Sequence, residues 1–151
     1  MKPIRNSAKA VIIENDRILL TVNKDQEGIF YLFPGGGQDK GEALRDTVIR
    51  ECLEEIGYRV IPRDIANIRE YIGKNHQHAE FDYDVHQVEY YITCEIDYEV
   101  RQIEATNADD MQIGIEWVEL SRLDDIRLYP SKMSGQLQGR ESKVCYLGDV
   151  N

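Results

Sequence analysis

Long apolar runs are missing from this chain, and none approaches the roughly 20 residues that cross a bilayer. The first residues, from Met1 to Ile13, hold no long apolar core ahead of a small-residue cleavage site. No signal peptide is therefore expected there. Cysteine is scarce: Cys52, Cys94 and Cys145 are odd in number and far apart. That excludes a disulfide framework and a cysteine metal site, and predicts buried, reduced thiols in a cytoplasmic protein. Positive charge is also short. Eighteen Lys and Arg face 28 Asp and Glu, for a net charge of −10. Such a surface repels phosphate backbones and anionic lipids, so nucleic acid and membrane are not expected as partners. A polyphosphate substrate is repelled as well, unless it arrives with a metal cation.

With 151 residues and 42% hydrophobic content, the sequence suits one soluble globular domain over residues 1–151. No internal repeat, linker or low-complexity tract divides it. Ala8 to Glu14 and Arg17 to Asn23 are apolar-rich runs joined at Asn15-Asp16, which predicts a hairpin. Lys24 to Gly28 reads as a loop, Ile29 to Phe33 as a short strand, and Gly35 to Gly37 as a turn after Pro34. A helix is expected from about Glu42 to Ile56. One or two strands, broken near Pro62-Arg63-Asp64, should fill Tyr58 to Lys74, with a polar loop or hairpin end at Asn75 to Asp84. His86 to Tyr98 alternates clearly, with Val88, Tyr90, Ile92, Cys94 and Ile96 on one face. A polar loop spans Arg101 to Asp110, and a strand Gly114 to Leu120. Ser121 is expected to cap a short helix, Pro130 to open another, and Val144 to Val150 to form the last strand. Strands mixed with helices in this order give an α/β class.

The stretch from Phe33 to Tyr58 organises the rest. On a helical wheel Leu44, Val48, Ile49, Cys52, Leu53 and Ile56 share one side, and Gly57 stands where a left-handed residue ends a helix. Glu51, Glu54 and Glu55 fall within an arc of roughly 100° and should converge on one small volume. Converging anions call for a cation, and hard divalent cations take oxygen ligands, leaving sites for water and phosphate. A glycine-rich turn before a helix lets backbone approach a ligand closely. The plainer reading is a solvated acidic face.

Gly36, five residues, Glu42, seven residues, then Arg50-Glu51-Cys52-Leu53-Glu54-Glu55-Ile56-Gly57-Tyr58 resembles the box of the Nudix (MutT-like) hydrolase family. Tyr58 departs from the aliphatic residue usual at the last position, which packs rather than reacts. The resemblance implies an α/β/α sandwich around a mixed β-sheet. It implies a Mg²⁺-dependent pyrophosphohydrolase, Mn²⁺ also serving, that cleaves a nucleoside diphosphate linked to another moiety, with a nucleoside triphosphate or similar small nucleotide favoured. By the same resemblance Gly35 (through its carbonyl), Glu51, Glu54 and Glu55 hold the metal. Glu54, Glu51 and Arg50 form the catalytic set, with Glu54 taking the proton of water. Glu104, Asp109 and Asp110 are alternative bases in a later loop. Glu42 is either a metal ligand or a charge favouring the helix N-terminus, and Arg50 either orients a carboxylate or makes a surface ion pair.

A non-catalytic Nudix-like nucleotide-binding module is the alternative, though such modules typically lose box glutamates and this chain keeps them. An isomerase of the isopentenyl diphosphate type needs a further catalytic cysteine, for which Cys94 is a poor candidate. A homodimer is compatible with either main reading. His76 and His78 read as surface histidines rather than metal ligands, and His86 as structural. Phe30, Tyr31, Phe81 and Tyr83 are candidates to stack on a base, against the commoner role of aromatic residues in a core.

Overall fold

The structure, a computed structural model, describes residues 2–106 and 110–151. Strands β1 (Arg5–Val11), β2 (Ile13–Glu14), β3 (Arg17–Asp25), β4 (Gly28–Leu32) and β5 (Gly35–Gly37) lead into helix α1 (Leu44–Ile56). There follow β6 (Val60–Ile72), short helix α2 (Ala79–Asp82), β7 (His86–Ile96), β8 (Gln112–Glu119), β9 (Leu128–Tyr129), α3 (Met133–Leu137) and β10 (Tyr146–Asp149). The class is α/β as expected, with the strands divided between two mixed five-stranded sheets. One runs β10-β6-β7-β1-β5, and the other β2-β3-β4-β9 with β8 also on β3. Among the described residues no helix is long and apolar enough to cross a membrane.

Two buried clusters hold the layers together. Val48, Cys52 and Ile56 of α1 pack on Ala8, Ala10, Ile92, Cys94 and Ile96 of the first sheet. Val11, Tyr91 and Leu147 join Ile18, Leu20 and Val118, tying both sheets together. Strand β1 serves both clusters because successive side chains point to opposite faces.

The structure departs from the sequence reading where pairing partners lie far away in the chain. Asn15 and Asp16 do make the predicted turn, with φ of 53° and 60°, as a two-residue hairpin requires. Only β2 pairs across it, whereas β1 joins the other sheet between β7 and β5. Lys24 and Asp25 extend β3 rather than forming a loop. Gly35–Gly37 is a strand, not a turn: Gly35, Gly36 and Gly37 pair with Lys9, Ala8 and Ser7. Residues around Pro62 do not break the chain into two strands. β6 is continuous and accommodates them with register shifts between Pro62 and Ile65 and between Ile65 and Asn67. The 3₁₀ segment Leu120–Asp125 starts after Glu119 without a side-chain cap from Ser121, and α3 begins three residues beyond Pro130. Cys52 and Cys94 are buried, but Cys145 is exposed.

Candidate active site

Helix α1 starts at Leu44, two residues later than expected, and Ala43 offers no side-chain cap. Glu42, just outside the helix, ties the preceding turn to it through side-chain bonds. Its Oε1 accepts from the Asp39 amide at 3.2 Å and from Thr47 Oγ1 at 2.8 Å. At the other end Gly57 has φ 74°, and its amide donates to the carbonyls of Cys52 and Leu53. The buried face is Thr47, Val48, Cys52, Glu55 and Ile56. Leu44 and Ile49 pack against it from the rim, and so does Tyr58, in keeping with a packing role.

Arg50 gathers the polar face. Its Nε donates to Glu42 Oε2 at 2.8 Å, and Nη2 to Glu42 Oε1 at 3.0 Å and to the Gly37 carbonyl at 3.1 Å. Nη1 reaches Glu51 Oε1 at 2.9 Å and Glu54 Oε2 at 3.3 Å. The hydrogen bond from Arg50, aided by Thr47, holds the Glu42 carboxyl down at about 2. Arg50 therefore orients carboxylates. Glu42 belongs to this ion-pair network, a role the sequence reading did not assign to it.

Of the three box glutamates, Glu51 and Glu54 meet at one Arg50 nitrogen, and Glu55 lies on the buried face of α1. Among the described residues no three His, Cys, Asp or Glu side chains are grouped as a metal site. The cation that gathers Glu51 and Glu54 here is Arg50, while Glu55 is buried at the helix base. The chemistry of the donors still suits a hard divalent ion, since Glu51, Glu54, Glu55 and the Gly35 carbonyl are all oxygen. Backbone also packs tightly against one of these carboxylates. A Cβ on Gly36 would lie 2.5 Å from Glu51 Oε2, so only glycine leaves that carboxylate its place beside β5.

The carbonyls ending α1 are each taken by residues from later in the chain. Glu54 O accepts from the Thr106 amide at 2.8 Å, Glu55 O from Gln112 Nε2 at 3.1 Å, Ile56 O from Gln102 Nε2 at 3.5 Å and Gly57 O from the Ile103 amide at 2.9 Å. This brings Glu104 to a surface cavity that Glu55 also lines. Asp110 sits in an exposed turn, and Asp109 lies outside the described residues.

On the opposite face of the first sheet is a cavity of about 340 Å³, lined by Lys9, Phe33, Arg69, Tyr71, Glu89 and Tyr91 among others. Pairing sets Lys9 beside Gly35 and Tyr91, and Arg69 beside Glu89. Lys9 Nζ donates to the Gly35 carbonyl at 3.5 Å. Arg69 Nε meets Glu89 Oε1 at 2.9 Å, and both side chains are only 7% exposed. Tyr91 also donates to Glu89, and Arg69 Nη1 reaches the Val150 carbonyl and Asn151 Oδ1. Burial pushes the Glu89 carboxyl up, but Arg69 and Lys9 outweigh it and hold it below the usual carboxylate range. The sequence reading missed this buried pair. Its one signal was a glutamate recurring on the supposedly outer face of the clearest strand.

The remaining candidates separate. His76 Nε2 lies 2.6 Å from Asp149 Oδ1 and its ring stacks on Tyr71, while His86 pairs with Glu70. These are bonds within the fold. His78 lines a second cavity. Phe30 is buried beside Tyr129, whereas Phe81 is 81% exposed. Cys94 is buried, and burial pushes its thiol up to about 12, so it offers no thiolate for an isomerase.

Comparison with known proteins places a family model over most of the chain. The model described as NUDIX domain matches residues 3–135. An uncharacterized Nudix hydrolase, YvcI, of Bacillus subtilis is 32% identical over 78 residues, 52% of this chain and 48% of that protein. The chain spans about half the length of the curated relatives it matches. Among solved structures, a NUDIX hydrolase from Nitrosomonas europaea superposes with a TM-score of 0.70 at 17% identity, covering 96% of this chain and 94% of that one. An ADP-ribose pyrophosphatase from Streptococcus suis gives 0.61 at 21%, covering 96% and 98%. At such identities the likeness carries the fold alone.

Proposed function

This chain belongs to the Nudix family, and on that footing we propose that it hydrolyses the phosphoric anhydride bond of a small nucleotide in which a nucleoside diphosphate is linked to another moiety. The observation that carries the reading is the position of Glu51, its carboxylate lodged against Gly36 and one Arg50 nitrogen away from Glu54. Glu51, Glu54, Glu55 and the Gly35 carbonyl would hold Mg²⁺, or Mn²⁺ in its place. Such an ion supplies neutralisation of phosphate oxygens and a bound water of lowered pKa. Arg50 then keeps two of the carboxylates positioned, with Glu42 anchoring Arg50. Glu54 would accept the proton of the attacking water, with Glu104, which lines a cavity together with Glu55, as an alternative from the later loop. Lys9 stands at the Gly35 carbonyl as a cation for the substrate's phosphates. The deciding experiment is a phosphate-release screen over nucleotides, dinucleotides and nucleotide sugars in Mg²⁺. Turnover of at least one is expected. Binding without turnover of any would leave a nucleotide-binding module.

A further inference from the structure

Strand β1 presents Arg5, Ser7 and Lys9 to one face, since alternate residues of a strand share a face. Lys9 stands at the Gly35 carbonyl. Arg5 stands at the other end of β5, about 13 Å away along β1. A Cβ on Gly37 would lie 1.9 Å from Arg5 Nη2, so the guanidinium rests directly on that backbone. The Gly37 carbonyl accepts from Arg50 Nη2. The two arginines differ in what they hold. Arg50 is bound by Glu42, Glu51 and Glu54. Among the described residues no carboxylate pairs with Arg5, in a chain with 28 Asp and Glu.

Arg5 opens onto a surface cavity of about 310 Å³ between the start of β1 and the turn before α1, with Asn6, Gln38, Asp39, Lys40 and Glu42 in its wall. The amides there are already bonded. Asn6 Nδ2 donates to Gln38 Oε1 at 3.2 Å, and Gln38 Nε2 to the Glu42 carbonyl at 2.7 Å. The carboxylates face Arg50 instead, Glu42 at 2.8 Å and Asp39 at 3.5 Å. Among the described residues this leaves Arg5 and Lys40 as cations without a partner. A guanidinium held in place by packing, with no carboxylate on it, suits a phosphate gripped through two N–H donors. Gly35 and Gly37 are about 7 Å apart along β5. A phosphoryl group at Lys9 is therefore not the one at Arg5, and the ligand that meets both is an extended anion.

We propose that Arg5 is a specificity-determining residue. It contacts the phosphoryl group farthest from the nucleoside and so selects substrates whose second moiety is itself a phosphate. The preferred class is the nucleoside triphosphates rather than the nucleotide sugars, which would bring hydroxyl groups to the same place. The inference rests on the hydrolase reading for the identity of the ligand.

Arg5→Met and Arg5→Lys suit the test because the side chain is exposed, and thermal melting confirms that each variant folds. Lys143→Met, at an exposed position outside the cavity, controls for loss of overall charge. Calorimetry in Mg²⁺ measures binding of α,β-methylene nucleoside triphosphates and of the matching diphosphates, carrying each of the four common bases. Wild type should bind the best triphosphate more tightly than its diphosphate. Arg5→Met should weaken the triphosphate about 10-fold, the usual scale for one hydrogen bond to a charged group. The diphosphate should stay within about twofold, and Arg5→Lys should recover part of the loss. A wild type that binds no triphosphate better than its diphosphate, unchanged binding in Arg5→Met, equal weakening of both ligands, or the same weakening in Lys143→Met would each overturn the proposal. Turnover of cleavable nucleotides is measured separately. A wild type that binds nucleotides without cleaving them overturns the hydrolase reading, while the Arg5→Met comparison still decides the phosphate contact.

Discussion

Arg50 and Glu42 meet through two hydrogen bonds, Nε to Oε2 at 2.8 Å and Nη2 to Oε1 at 3.0 Å. This two-point grip fixes the guanidinium plane, and the remaining nitrogen, Nη1, addresses Glu51 and Glu54. Glu42→Gln should therefore lower turnover by roughly 10-fold or more, the scale of losing a group that orients a ligand. The same pair makes stability depend on acid. The folded-state pKa of Glu42 is depressed from 4.5 to about 2. Its contribution is thus present above pH 4.5 and is lost as pH falls from there toward 2. Urea titrations of wild type and Glu42→Gln should give stabilities that differ at pH 6 and draw together near pH 2.

Glu54→Gln should cut turnover by ~10²–10⁴-fold with the fold retained. Two opposing effects act on its stability. Removing an anion near the negative end of α1 gains ~0.3–1 kcal/mol, and losing the Arg50 contact costs ~0.2–0.5 kcal/mol. The melting temperature in chelator should therefore rise slightly or stay level. A fully active Glu54→Gln enzyme would move the proton acceptor to the later loop, to Glu104, Asp109 or Asp110.

Chelator should abolish turnover, and Mg²⁺ or Mn²⁺ should restore it. Millimolar-range Mg²⁺ should also raise the melting temperature of wild type by linkage, and raise it less in Glu51→Gln. Thermal unfolding with and without the ion measures this independently of activity. An unchanged wild-type melt across the whole titration would refute a metal held by these carboxylates.

Two adjacent glycines should respond differently to alanine. A Cβ on Gly35 would sit 2.1 Å from the Ala8 carbonyl oxygen, on a residue with φ +138°. Both are backbone constraints, so Gly35→Ala should destabilise the fold severely. On Gly36 the obstacle is the Glu51 carboxylate, the far end of a flexible side chain. Gly36→Ala should stay folded and lose activity, as circular dichroism and a turnover assay on the same preparation can show.

Replacing Arg69 by Met removes the paired cation from a buried carboxylate and leaves Glu89 only Tyr91 and the charge of Lys9, a loss of up to about 3–5 kcal/mol. The double change Arg69→Met with Glu89→Leu should recover most of that loss. Denaturant unfolding of the single and double variants gives the comparison. Equal instability of the two would assign the loss to packing around Tyr91 instead.

What could be read from the sequence were features with short-range causes. The apolar spacing of α1, its glycine stop, the Asn15-Asp16 turn and the alternation in β7 each arise within a few residues. The fixed spacing from Gly36 to Tyr58 also brought out the glutamates and Arg50. Long-range pairing was not legible. Gly35 to Gly37 carries every local mark of a turn, yet its backbone completes a sheet edge against β1. Pro62 reads as a breaker, but β7 holds the strand on both sides of it. Arg69 and Glu89 lie 20 residues apart, and nothing short of the β6–β7 register makes them neighbours. The wheel put three glutamates on one arc but could not show that Arg50 would claim two of them.

The four carbonyls that close α1 have a kinetic consequence. The Thr106 and Ile103 amides are bonded to Glu54 O and Gly57 O, so neither can exchange its proton with solvent until those contacts open. Opening them uncaps the turn that carries Glu54 and Glu55. Hydrogen exchange at these two loop amides is therefore a clock on the helix end itself. Its rate, followed residue by residue while ions or nucleotides are added, times how often the acidic end of α1 is released.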